Sequence, residues 1–249
     1  MILNRRFVLL MLFLLLFISV LIPAFWAGEL LKKASSPLVL RGLSGTLWSG
    51  QAAQGEIHWQ GHRWLLGALS WALEPLSLLT LSPCAVVSST YQQQSVDANL
   101  CFHRDGSWSV NDAAIEAPAS VLNTWSPAPI KGELELTIAT LFFSTLGVTH
   151  LQADASWREA RIDNGQDWVA LGSLDSHWRA YTDGRIRAEI FDQRGPAAIA
   201  LTLTSGQGQP LSVDGEVELR KNASTHLADF LLVFAESPAP GRFNIKWHE

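Results

Sequence analysis

The chain has 249 residues and a formal net charge of −5, with 18 Lys and Arg against 23 Asp and Glu. The basic residues are scattered, which argues against a nucleic-acid binder, because phosphate contacts need grouped Lys and Arg. Charged residues make up only 16 % of the chain and AVILMFWYC 48 %, partly because of one apolar segment at the amino terminus.

That segment covers residues 7–25, FVLLMLFLLLFISVLIPAF, and follows Asn4-Arg5-Arg6. A helix of that length rises roughly 28 Å, close to the hydrocarbon thickness of a bilayer. It reads either as a cleaved signal or as a single membrane anchor. A signal peptide ends in small residues spaced as A-x-A. Here the exit is Pro23-Ala24-Phe25-Trp26-Ala27-Gly28, which puts an aromatic ring where a small side chain belongs. Trp26 also suits a membrane–water boundary, so the anchor is the better reading. Arg5 and Arg6 favour a cytoplasmic amino terminus, while Lys32 and Lys33 weaken that bias. The expected organisation is a cytoplasmic end and transmembrane helix over 1–28, a linker over 29–37, and a β-rich domain over 38–249 outside the cytosol. The run Pro127-Ala128-Pro129 is a candidate sub-boundary within it. About 220 residues follow the anchor, enough for one sizeable β domain or two small ones.

From Leu38 onward the dominant hydrophobic period is two, the period of strands with one buried and one wet face. Residues 130–138 (IKGELELTI), 151–158, 197–204, 211–219 and 242–247 all alternate in this way. Antiparallel sheets have such strands. Asp105-Gly106, Asp163-Asn164-Gly165 and Asp183-Gly184 are hairpin signals, because the turn needs positive φ. Asp214-Gly215 falls inside an alternating run and reads as a bulge or irregular strand position. Helix is scarce beyond the anchor: residues 119–125 suit a short turn of helix, and residues 226–235 (HLADFLLVFA) suit one short carboxyl-terminal helix packed against a sheet end. The fold class is mainly β: an elongated antiparallel sheet or sandwich-like domain behind one transmembrane helix.

Cys84 and Cys101 flank a polar run and fit an oxidising compartment. They read as a disulfide stapling neighbouring strands, worth roughly 3 kcal/mol in the chain-entropy model, or alternatively as two free thiols.

Motifs that carry chemistry fare poorly. Gly42-Leu43-Ser44-Gly45 lacks the G-x-S-x-G spacing of a nucleophile elbow. His58 and His62 are four apart, a spacing that joins two metal ligands only on a helix, and this region reads as strand and turn. Gly206-Gln207-Gly208 is a lone G-x-G with no helix after it. Glu133 and Glu135 share one strand face, where carboxylates are usually solvated partners of Lys or Arg. No cofactor, metal or catalytic residue is expected, and the chain does not read as an enzyme. Trp48, Trp59, Trp71, Trp157, Trp178 and Trp247 fall in phase with apolar neighbours. They read as sheet packing, or as the lining of an apolar groove that receives a protein or lipid.

The segment Leu40-Arg41-Gly42-Leu43-Ser44-Gly45-Thr46-Leu47-Trp48-Ser49-Gly50 closely resembles the opening motif of general secretion pathway protein N, the N component of bacterial type II secretion systems. Trp71, Leu73 and Pro75 resemble that family's W-x-L-x-P element. Residues 155–160 (ASWREA), Leu171-Gly172-Ser173-Leu174, Asp192-Gln193-Arg194-Gly195-Pro196 and Pro240-Gly241-Arg242-Phe243 follow in the expected order. The resemblance spans nearly the whole chain. It implies a bacterial inner-membrane protein with a periplasmic β domain, an accessory part of the machinery that exports folded periplasmic proteins across the outer membrane. It implies no enzymatic activity. Its partners would be other type II secretion components, in the inner-membrane platform or the secretin.

Two mechanisms then compete. As a scaffold, the anchored domain would present an exposed strand edge for β-augmentation, at Gly42, Gly45, Trp48 and Gly50 or at the final strand, 242–247. Alternatively, those glycines permit a tight bend within the domain. The rival mechanism is an anchored β-groove protein that binds or transfers lipid between membranes.

Overall fold

The computed structural model describes residues 5–33, 36–59, 61–144, 147–181, 184–206 and 209–248. Asn4, Asp183 and Gln207-Gly208 of the motifs above lie outside the described residues, as do the side chains of Arg5, Arg6 and Trp59.

The apolar amino-terminal segment is divided into two helices. The first, α1, is Arg5–Val20, and the second, α2, is Phe25–Lys33. The break is at Pro23, which has no N–H to donate and disfavours helical backbone at Ile22. Helical hydrogen bonds are replaced here by sheet bonds. Leu47 N donates to Ile22 O at 2.8 Å, Ala24 N donates to Gly45 O at 3.1 Å, and Pro23 forms an isolated bridge with Thr46. The single helix expected over 7–25, and the linker expected after it, are therefore replaced by α1, a short crossing and α2. α1 rises roughly 24 Å, and among the described residues no helix is long and apolar enough to cross a membrane. Every described side chain of α1 is exposed, Leu10 at 65 % and Phe13 at 68 % among them.

The rest is mainly β. The strands are β1 Leu38–Gly45, β2 Ser49–Trp59, β3 His62–Leu73, β4 Cys84–Tyr91, β5 Gln94–Phe102, β6 Trp108–Pro118, β7 Ile130–Ser144, β8 Gly147–Asp163, β9 Trp168–Ala180, β10 Ile186–Arg194, β11 Ala197–Gly206 and β12 Gln209–Leu219. A helix α3, Thr225–Phe234, precedes β13 Glu236–Ala239 and β14 Arg242–His248. Each alternating segment of the sequence lies inside one of these strands. The chain forms two compact units. The first holds residues up to Gln92 with Asn99–Cys101, and the second holds Gln93–Ala98 and Phe102–Glu249. The run 127–129 lies inside the second unit, between a 3-10 turn at Ala119–Thr124 and β7.

In the first unit β1 to β4 pair antiparallel in chain order, and α2 packs against β1. Gly28 of α2 faces Leu43 so closely that a Cβ there would lie 2.9 Å from Leu43 Cδ1. Glu56 is buried, yet its carboxylate is well served: Gln54 Nε2 donates to Oε1 at 3.0 Å and His58 Nε2 lies 3.2 Å from Oε2. The contact with His58, helped by Arg41 and Arg63 and opposed by burial, holds the Glu56 carboxyl below the ordinary glutamate value.

In the second unit the antiparallel order is β6 to β12, then β14, with β13 outermost. One face carries Leu136, Ala155, Ser176, Ile190, Leu201 and Ile245 in one cross-strand row, and Ile138, Ala153, Trp178, Ala188, Leu203 and Trp247 in the next. The opposite face carries Thr137, Asp154, His177, Glu189, Thr202 and Asp214. This is the alternation read from sequence, expressed in register. α3 covers part of the unit. It starts at Ser224, whose Oγ accepts from Leu227 N at 3.3 Å, and it inserts Leu227 and Leu231 against Val169, Ala197, Val217 and Phe243.

Two turn expectations hold in detail. Asp105 Oδ1 accepts from Ser107 N at 2.9 Å in the turn before β6, and Asp163 Oδ1 accepts from Gly165 N at 2.8 Å between β8 and β9. Asp214-Gly215 is different: β12 keeps an unbroken register there with both β11 and β14. Gly215 is instead a close approach, since a Cβ would meet Ala200 O at 2.1 Å.

Candidate functional site

The strongest concentration of sequence motif and structure is the turn that joins β1 to β2. Thr46 N donates to Ser49 O at 2.9 Å, and Ser49 N donates back to Thr46 Oγ1 at 3.1 Å. Gly45, at φ +86°, and Gly50 face each other across the turn mouth. A Cβ on Gly45 would meet Ser49 O at 2.7 Å. A Cβ on Gly50 would meet Trp71 Cζ2 at 2.4 Å and Thr46 O at 2.8 Å. Both positions need glycine, Gly45 because of positive φ and close backbone, and Gly50 because the Trp71 ring and Thr46 O come too close for a side chain.

Three other segments are tied to this turn. The crossing between α1 and α2 bonds to Gly45, Thr46 and Leu47, as described above. Trp71 lies across Gly50 and donates its Nε1 to Leu47 O at 2.9 Å. Leu73 N donates to Trp48 O at 2.7 Å, which fixes the end of β3. Gly42, at φ +65°, sits opposite Ala53, whose Cβ leaves only 2.8 Å for an added carbon. Gly42, Gly45, Trp48 and Gly50 thus gather at one end of the first unit, where the chain enters it from α1. β1 is also in contact with α2, where Gly28 lies against Leu43.

Cys84 and Cys101 are bonded to each other within the same unit. The bridge starts β4, and Glu74 N donates to Cys84 O at 2.9 Å, so it also closes the base of the loop between β3 and β4. That loop, Pro75–Thr80 and the residues after it, is a 3-10 turn that sequence reading passed over. It exposes Leu76 at 77 %, Leu79 at 81 % and Leu81 at 55 %. The signal in the sequence was the uncharged run PLSLLTLSP, which has no strand or helix period.

The motifs of the second unit also resolve into fasteners. Asp192 Oδ1 accepts from Ile199 N at 2.8 Å, and its Oδ2 accepts from Arg220 Nη2 at 2.6 Å. Arg220 Nη1 donates to Gly195 O at 2.8 Å. Gly172 and Gly195 press backbone to backbone, and a Cβ on Gly172 would lie 2.4 Å from Gly195 Cα. Leu219 N donates to Gly241 O at 2.7 Å beside the buried Phe243.

The residues weighed for chemistry do not converge. His58 pairs across the hairpin with Arg63 and His62 with Trp59, so the two histidines are one step apart and point to opposite faces. Glu135 is half-buried and ion-paired with Arg158 of the neighbouring strand, and Glu116 lies opposite it. Among the described residues no group of three His, Cys, Asp or Glu side chains could hold a metal ion. Among the described tryptophans, Trp157 Nε1 donates to Lys131 O at 3.0 Å, Trp178 Nε1 donates to Ser176 Oγ at 2.8 Å, and Trp247 is 46 % exposed. The final strand is partly covered, since β13 pairs with Arg242 and Asn244 of β14.

Residues 36–246 match the family model described as type II secretion system (T2SS), protein N. The chain is also similar to the type II secretion system protein N of Vibrio cholerae serotype O1 (strain ATCC 39315 / El Tor Inaba N16961), 28 % identical over 158 residues, which is 56 % of this chain and 56 % of that protein. The chain thus spans about half the length of the curated relative it matches. No solved structure matches it.

Proposed function

Because the chain belongs to the type II secretion system protein N family, we propose that it is an accessory component of the type II secretion pathway and works as a non-catalytic scaffold at the bacterial inner membrane, with the bulk of the chain in the periplasm. The family match over residues 36–246 is the observation that carries this reading. Three features support its finer parts. α1 is almost wholly apolar in sequence and every described side chain of it is exposed, which suits a helix whose surroundings are lipid. A disulfide between Cys84 and Cys101 suits an oxidising compartment. The β1–β2 turn ties the exit of α1 to the sheet, so an anchor would hold the first unit close to the membrane and raise its effective concentration near other anchored components.

Its partners are other type II secretion components. Gly42, Gly45, Trp48 and Gly50 serve the contact indirectly in this reading, by shaping the turn that holds the unit to its anchor. The lipid-carrying alternative draws no support from the comparisons.

The test is genetic. Deleting the gene should leave type II substrates in the periplasm, and the intact chain should restore their release. Unchanged export of every type II substrate in the deletion strain would reject the scaffold. Stoichiometric phospholipid extracted from the purified chain would favour the lipid carrier instead.

A further inference from the structure

The loop between β3 and β4 combines two properties that seldom meet in a water-facing loop. Three of its four leucines are exposed, and several of its polar groups bond within the loop and its base. Leu76, Leu79 and Leu81 are 77 %, 81 % and 55 % exposed. From Pro75 to Pro83 there is no charged residue. Ser77 Oγ donates to Glu74 O at 2.6 Å and accepts from Cys84 N at 2.8 Å. Thr80 Oγ1 donates to Ser77 O at 2.8 Å. Ser82 N donates to Ser77 O at 3.2 Å, and Leu81 N donates to Leu78 O at 3.1 Å. A segment that enters lipid must satisfy its polar groups internally, and a segment in water has no such need.

The loop lies near the exit of α1. β3 ends at Leu73, beside Trp48 of the β1–β2 turn. The same turn binds Ile22, two residues after α1 ends. The leucine loop and the exit of α1 therefore share one end of the first unit. Phe25 and Trp26, 51 % and 47 % exposed with ring centroids 5.2 Å apart, lie at the start of α2 beside that crossing. The β2–β3 turn at His62 is at the other end, about 35 Å away along β3 by strand rise.

We propose that the Leu76–Leu79–Leu81 tip is a second membrane contact, inserted into the interfacial layer of the leaflet from which the chain leaves α1. The disulfide at Cys84 and the bond from Leu73 to Trp48 hold the tip at its base, so α1 and the tip grip one bilayer surface at two points. A single helix lets a domain swivel about its exit, whereas a second contact fixes which face of the first unit looks toward the membrane. The inference rests on α1 being embedded, and its test separates the two.

The experiment uses the full chain in vesicles of phosphatidylcholine and phosphatidylglycerol. Cys84 and Cys101 are bonded, so a single added cysteine carries the label. An environment-sensitive dye is placed at Leu79→Cys, at Leu76→Cys, at His62→Cys and, as the anchor control, at Leu14→Cys. Interfacial elements sit about 5–10 Å into the headgroup–acyl boundary, so lipids brominated near that depth should quench the dye at positions 79 and 76 about twofold or more. The dye at position 62 should not respond. Quenching at 14 without quenching at 79 and 76 overturns the second contact and leaves the anchor standing. No quenching at any position overturns both. Blue-shifted emission at 79 without quenching by brominated lipid means that protein covers the tip, and this also overturns the proposal.

Discussion

α1 and α3 are both apolar almost all the way round, but their surroundings differ. α3 has an N-cap at Ser224 and buries Leu227 and Leu231 to 1 % and 7 % exposure, leaving Leu232 and Val233 outside. In α1 no described side chain is buried. The contrast teaches that apolar composition identifies a helix that must be covered, while burial says whether the protein itself does the covering. For α3 it is the sheet of the second unit. For α1 none of the described side chains is covered by the protein, and the chain leaves it through bonds to the β1–β2 turn.

Substitutions can break this contrast at either end. Leu227→Ala removes the best buried side chain of the α3 contact and should destabilise the second unit by about 2–5 kcal/mol, read from denaturant unfolding. Gly50→Val forces a side chain into the Trp71 ring and Thr46 O, and should cost about 1–3 kcal/mol in the first unit, with Trp71 fluorescence changed. Ser224→Ala removes the α3 cap and should cost about 1 kcal/mol. Leu10→Ser in α1 should change the unfolding free energy of either unit by less than about 0.5 kcal/mol. A large loss there would mean that α1 packs on the protein after all.

The smallest effect concerns Glu56. Its folded pKa is held below the ordinary value, so its contribution to stability is present above the unfolded pKa and is lost as pH falls through the folded one. Acidification below the ordinary carboxylate range should lower the unfolding midpoint of the first unit, and Glu56→Gln should flatten that dependence.

Much of the fold was legible because its signals are local. The alternation at 130–138 and 211–219 lies inside β7 and β12, and HLADFLLVFA lies largely in α3. The turns at Asp105 and Asp163 carry their own side-chain acceptors. Other features depend on partners far along the chain. Pro23 breaks the apolar segment, but the bonds that replace its helix come from residues 45–47. Gly50 is needed because Trp71 of another strand lies over it, and Gly215 because β11 passes close. Neither need is visible to a local pattern. The leucine loop was missed because exposure, not composition, distinguishes it, and its four leucines follow no period.

Membrane association tests the central claim most directly. Cells expressing the full chain, or the chain without residues 5–20, can be lysed and the membranes washed with alkaline carbonate. The full chain should stay with the membrane after the wash, and the shortened chain should be released. Release of the full chain, or retention of both, would contradict an anchor formed by α1.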